Sequence, residues 1–258
     1  MSPQEGWGCL HSRARDVPPA QGGAQSRRGL VLPQSPALFH QFLLHLLFPR
    51  DTSAWKVLIG ATDLAQPGPE AQRRHIGKVL KHQDYSNDLP GNNIALVELD
   101  QPVECSDYIQ LACVPDSSLA VSELKTCYVA GWRATPENGQ SPGLVLQEAK
   151  VRLIDVQLCN SSRWYGGAVH PQDLCAGYPR GGIDTCQGDT GGPLVCKDNT
   201  GDYFWLVGLT SWGKGCAGDK RPGVFTATQH FHNWIQTQMG TELEGSAEQP
   251  SGIPEIPL

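Results

Sequence analysis

The fold of this chain turns on one stretch, Asp184-Thr-Cys-Gln-Gly-Asp-Thr-Gly-Gly-Pro-Leu194. Gly188, Asp189, Thr190, Gly191 and Gly192 make a Gly-rich turn. Such a turn can aim successive backbone N–H groups at one spot and so cradle an anion. Thr190 places a hydroxyl at its centre. Taken alone, a Gly-rich surface turn explains the pattern better, so the rest of the sequence has to decide.

The 258 residues contain 29 Gly and 20 Pro, and only 18% are charged. An average globular domain carries about 25% charged residues. The profile is that of a turn-rich, ordered protein and excludes a coiled coil, a helical bundle or global disorder. Net charge is −6. A mildly acidic chain lacks the clustered Lys and Arg that phosphate contacts need, so nucleic acid is not an expected partner. The nine cysteines include no Cys-x-x-Cys pair and no His at zinc-ligand spacing, which argues against a metal centre. Eight of them lie after residue 100 and point to disulfides in an oxidising compartment. Met1–Arg15, with Glu5, Trp7, His11 and two Arg, does not read as a signal peptide.

Residues 1–34 read as a flexible leader rich in Gly, Pro, Gln, Ser and Arg. Ala37–Phe48 (ALFHQFLLHLLF) follows as a short apolar helix, with Ser35 as cap, Pro36 at its first turn and Pro49 as its stop. Its length is too short for a bilayer. Residues 1–54 thus form a leader, 55–240 the main domain and 241–258 a disordered tail.

From Trp55 onward, short apolar segments alternate with turn signals. They are Trp55–Ala61, Ile76–Leu80, Ile94–Leu99, Thr126–Gly131, Gln147–Ile154, Pro193–Cys196, Phe204–Thr210 and Gly223–Thr226. This spacing predicts an all-β sandwich or barrel. Phe231–Met239 is the one later helix, with Phe231, Trp234 and Ile235 on a shared face.

Against that background Gly188–Pro193 resembles the nucleophile loop of the trypsin-like serine proteases, where Ser stands in place of Thr190. Cys127-Tyr-Val-Ala-Gly-Trp132 resembles the first strand of that family's second barrel, and Asn93–Leu99 the segment bearing its triad acid. Ser211-Trp-Gly213 and Arg221–Thr226 resemble the walls of its substrate pocket. Trp164–Gly167, Cys175–Tyr178 and Ile183–Gly188 are most similar to the acrosin branch. The resemblance implies a trypsin-like double β-barrel with a C-terminal helix. It implies the disulfides Cys127–Cys196, Cys159–Cys175 and Cys186–Cys216. For Cys105 and Cys113 two outcomes stay open: a thiol is left over with Cys9 as the only upstream partner, or Cys105 pairs with Cys113.

The departures from the family pattern matter as much as the match. Thr190 occupies the nucleophile position, where β-branching restricts χ1 and adds a methyl in the path of a substrate. Asn93 occupies the acid position, and an amide cannot stabilise an imidazolium. The Ala-Ala-His-Cys motif of the base is missing, and Leu46 falls at its position. His45 would serve only through a one-residue slip. His82 matches a surface His of the family. No Arg-Ile-Val-Gly-Gly site precedes residue 55, so Asp189 lacks the amine that would pair with it. A zymogen-like loop is expected, with Asp189 turned outward and the Gly188/Thr190 oxyanion hole unformed. The early strands of the first barrel are also missing, which leaves edges and apolar surface to cover.

The pocket survives in the sequence. Asp184 stands where the family places the carboxylate that binds Lys and Arg, and Ser211, Trp212, Gly213 and Gly223 match the pocket walls. The resemblance therefore implies an inactive homologue that binds peptides or proteins with exposed Lys or Arg. The alternatives are a weak trypsin-like endopeptidase using Thr190, and a truncated isoform without function. No cofactor is expected. Asn160-Ser-Ser162 is a candidate N-glycosylation site. The resemblance implies a secreted or acrosomal protein, although no signal peptide is visible.

Overall fold

The computed structural model describes residues 31–32, 55–86, 91–132, 144–182, 190–214 and 218–240. Its centre is a closed six-stranded antiparallel barrel formed by the C-terminal half. The strands are β6 (Cys127–Gly131), β7 (Gln147–Ile154), β8 (Asp173–Gly177), β9 (Pro193–Lys197), β10 (Phe204–Trp212) and β11 (Gly223–Ala227). They close in the order β10-β11-β8-β7-β6-β9. Closure leaves no free strand edge.

The inner face of this barrel is lined by Val129, Val151, Ala176, Leu194, Cys196, Val207 and Phe225, packed into one buried cluster. Small residues make room for the large ones. A Cβ on Gly208 would come within 3.0 Å of the Phe225 Cβ, so glycine is required there. Cys127 and Cys196 face each other directly across the β6–β9 ladder and are joined by a disulfide. A second disulfide, Cys159–Cys175, fastens the one-turn helix α1 (Val156–Cys159) to β8. Asp155 caps α1 by accepting from the Leu158 N–H at 2.9 Å.

The N-terminal half is different. Among the described residues it is a three-stranded sheet, β2-β3-β4, and not a barrel. These strands are β2 (Lys56–Ile59), β3 (Gln72–Lys81) and β4 (Ala95–Leu99). Every residue of β4 is only half-buried, and β3 has no buried residue. None of the sheet's apolar side chains belongs to a buried hydrophobic cluster. The residues where early strands of a first barrel were expected to be missing lie almost wholly outside the described residues.

The two halves are stitched along a seam. Leu64 N–H donates to the Leu144 carbonyl and Leu146 N–H to that of Thr62, each at 2.8 Å. The C-terminal helix α2 (His232–Gly240) returns toward the first half. The ring of His82 packs against Phe231 and Trp234, with centroids 5.2 and 5.1 Å apart. His82 therefore has a packing role, in keeping with its reading as something other than the base.

One feature was not anticipated, and one open alternative is resolved. Val31–Leu32 forms a strand (β1) that pairs antiparallel with β5 (Gln110–Leu111), so the leader is not wholly without structure. Cys105 is an exposed free thiol. Cys113 is disulfide-bonded, and its partner lies outside the described residues. The alternative pairing of Cys105 with Cys113 is therefore corrected. The expected helix at Ala37–Phe48 and the tail 241–258 also lie outside the described residues. No helix among the described residues is long and apolar enough to cross a membrane.

Candidate functional site

The seam between the halves carries the residues singled out in the sequence. Asn93 lies immediately before Ile94 and β4, and its side chain is half-buried. Its Nδ2 donates to Ser211 Oγ at 3.0 Å. Its backbone carbonyl accepts from Thr226 Oγ1 at 3.0 Å. Two strands of the closed barrel thus hold Asn93 in place.

The local geometry of β10 explains how Ser211 reaches it. Thr210 pairs with Phe225 and Trp212 with Val224, so Ser211 is the extra residue of a β-bulge. A bulge re-aims the side chain it carries. Here the hydroxyl turns toward the first half. Trp212 closes the strand, half-buried, and Gly213 follows it exposed. Gly223 opens β11, fully buried and in register with Ala176. Of the four residues predicted as pocket walls, Ser211 and Trp212 thus end β10, Gly213 follows it, and Gly223 opens β11 next to Val224, the partner of Trp212.

Thr190 is half-buried at the end of its turn. The following Gly191 has φ +84°, the left-handed region that glycine adopts without penalty. Its N–H donates to the Thr210 carbonyl at 2.7 Å, and Thr210 N–H donates to the Gly192 carbonyl at 2.8 Å. This pair of bonds seats the end of the Gly-rich turn on β10, one residue before Ser211. The Thr210 hydroxyl beneath it is buried and without a hydrogen-bond partner. Asp184, Cys186, Gly188 and Asp189, together with Cys216 and His45, lie outside the described residues. The expected outward turn of Asp189 and the unformed oxyanion hole fall there too.

Beside Trp212, Tyr165 is buried and donates its hydroxyl to the Pro222 carbonyl at 2.5 Å. Its ring meets that of Trp212 edge-on at 5.1 Å. This buttress was missed in the sequence, where Trp164–Gly167 served only as a family marker. Asn160 is tied down at both ends of its amide. Its Nδ2 donates to the Val169 carbonyl and its Oδ1 accepts from the Val169 N–H, each at 3.0 Å. The nitrogen that a glycan would occupy is used by the fold.

Electrostatically, one carboxyl near the barrel rim stands out. Asp173, buried in β8, is raised above the ordinary carboxylate value by burial, against the His170 N–H bond and the nearby His170 and His230 rings. It takes no part in the Asn93–Ser211 pair. Among the described residues no group of His, Cys, Asp or Glu is placed to hold a metal ion.

Chemically, the described part of the site offers the Asn93 amide and the Ser211 hydroxyl, bonded to each other at the seam. The trypsin family model matches residues 47–235, well over half of the sequence and inclusive of both the three-stranded sheet and the closed barrel. With the closed antiparallel barrel, the paired disulfides and this match in hand, the chain belongs to the trypsin family.

Proposed function

We propose that this chain is a catalytically inactive, acrosin-like trypsin homologue that captures peptides or proteins through an exposed Lys or Arg. The carrying observation is the Asn93–Ser211 hydrogen bond. On the family reading Asn93 stands in for the acid as a neutral amide, and this bond supports that reading by tying it to the barrel. In the Ser–His–Asp triad of other enzymes, the same replacement lowers kcat about 10⁴-fold. Thr190 at the nucleophile position and the missing base motif compound the loss, because triad members act as a unit. What remains is binding. Ser211, Trp212 and Gly213 supply the end of β10 beyond its pairing with β9, Gly223 supplies a small wall, and Asp184 supplies the carboxylate for a basic side chain.

Hydrolysis of an Arg-anilide peptide by the purified chain, run beside Thr190→Ala, tests the inactivity. Equal rates are expected. Cleavage by the natural chain that Thr190→Ala abolishes would instead make it a weak endopeptidase, with His45 the next residue to replace. Benzamidine tests the pocket, since a ligand of the folded state raises Tm by mass action. A melt unchanged by saturating benzamidine would sink the binding reading and leave the chain as a product without a working pocket.

A further inference from the structure

We infer that Asp173 is a pH-operated latch on the segment carrying Asn93, tight while the carboxyl holds its proton and looser once it is ionised. How that segment is held does not depend on the peptide-binding reading above. Two residues grip it, and Asp173 lies between them. Gln172, its neighbour in the chain, lays its side chain over Gly91, where an added Cβ would come within 2.8 Å of Gln172 Nε2. Thr226, its partner across the β8–β11 ladder, donates from Oγ1 to the Asn93 carbonyl at 3.0 Å. The ladder continues past Asp173 through Ala227 N–H, which donates to the Gln172 carbonyl at 2.8 Å. Between the two gripped residues, Asn92 holds φ at +52°, a left-handed conformation sustained by what surrounds it.

Asp173 is placed to respond to protons. It is buried at the start of β8, where a tight turn folds His170 back onto it. Asp173 N–H donates to the His170 carbonyl at 3.0 Å, and Asp173 Oδ2 accepts from His170 N–H at 2.9 Å. The same oxygen lies 3.4 Å from His170 Nδ1. From the turn after β11, the ring of His230 also acts on the carboxyl. The paired strand β11, Gly223–Ala227, brings no charge. On the other side β7 pairs with β8 through Arg152, Leu153 and Ile154, and its cation Arg152 stands opposite Gly177 at the far end of β8. Burial raises the carboxyl above its ordinary value, against the opposing pull of the His170 N–H and the two His rings. Ionisation therefore places a charge in a buried strand end, at a cost in free energy. The His170–Asp173 turn is the part that can yield, and Gln172 lies within it.

A titration of the full-length, isotope-labelled chain by NMR tests the latch. The Asn93 side-chain amide and the Gln172 and Thr226 backbone amides should shift together, with one midpoint above 3.8. The Ala227 amide, corrected for its intrinsic exchange rate, should be up to about tenfold better protected against deuterium on the acid side of that midpoint. Asp173→Asn should abolish both changes in a chain whose remaining amides stay dispersed. His170→Ala keeps the backbone N–H bond, removes the ring and should raise the midpoint by about 1 pH unit. It leaves β8 untouched, so the answer does not hinge on whether Asp173→Asn folds. The latch is overturned if the Asn93 amide and the Ala227 protection stay level while Asp173 titrates, or if their change persists in Asp173→Asn. A midpoint that His170→Ala leaves in place overturns it as well.

Discussion

Asn93 Nδ2 and Ser211 Oγ lie 3.0 Å apart across 118 residues of sequence, one at the edge of the open sheet and the other on a bulge of the closed barrel. The bond has a structural use that does not depend on catalysis. Asn93→Asp replaces the Nδ2 donor by a carboxylate to which the Ser211 hydroxyl can donate instead, and should fold normally. Activity should not follow. Asn93→Asp, alone or with Thr190→Ser, is expected to hydrolyse an Arg-anilide no faster than Thr190→Ala. A rise of about 100-fold or more in the double variant would show that a working base is already in place. Asn93→Ala removes the bond and should cost about 1 kcal/mol in urea unfolding.

The orphan hydroxyl of Thr210 leads to a stabilising substitution. Thr210→Val replaces a buried, unpartnered Oγ1 by a methyl of similar shape in the middle of a strand. The flanking bonds from Gly191 and to Gly192 are made by the backbone and persist. A gain of about 1 kcal/mol, or roughly 2–4 °C in Tm, is expected by calorimetry. A loss of stability would show that the hydroxyl has a partner in solution.

Asp198 makes stability fall with acid. Its carboxyl is held well below the ordinary value of 3.8, first by the Trp205 indole N–H and then by the amides of Gly201 and Thr200. The indole bond is 2.9 Å and the Gly201 bond 2.7 Å. A depressed carboxyl contributes fully above its unfolded value and loses that contribution as pH falls toward its folded one. Asp198→Ala should therefore destabilise by about 1–2 kcal/mol at neutral pH, with the gap closing below pH 3.8. Trp205 fluorescence reports the change directly. A gap that holds constant through acid would refute the assignment.

Asp173 has the opposite sign. Burial raises its carboxyl above 3.8, so the folded chain holds the proton where the unfolded chain has lost it. Stability from this group is greatest below 3.8 and declines as pH rises through the folded value. Asp173→Asn keeps an oxygen for the His170 N–H, bonded at 2.9 Å, and removes the charge. It should gain about 1 kcal/mol at pH 7 and much less at pH 4, by urea titration. An equal gain at both pH values would mean that charge is not the cause.

Much of this architecture was legible because strand burial follows a simple period. Gln147–Ile154, Pro193–Cys196 and Gly223–Thr226 each lie within or coincide with β7, β9 and β11. β8 escaped because Asp173-Leu-Cys-Ala-Gly carries a buried acid and a glycine, which do not read as a strand. β1 and β5 escaped because two residues have no period at all. The contact of Asn93 with Ser211 was not legible: motif resemblance singled out each residue separately, and nothing local to either encodes a contact over 118 positions. The Tyr165 buttress was not legible for the same reason, because its ring contact with Trp212 and its bond to Pro222 are not written in spacing.

The contrast between a closed barrel and an open sheet also sets a clock. Amides in β9 and β11, buried on a ring of strands with no end, can exchange their hydrogens only when the whole barrel opens. Amides in β2, β3 and β4 have a shorter route, because a sheet can release one strand at a time and no buried apolar cluster holds these three together. The chain should therefore label with deuterium in two waves, the first half well before the second. Asn93 would sit on the boundary, its side chain in the fast half and its anchors, Ser211 and Thr226, in the slow one.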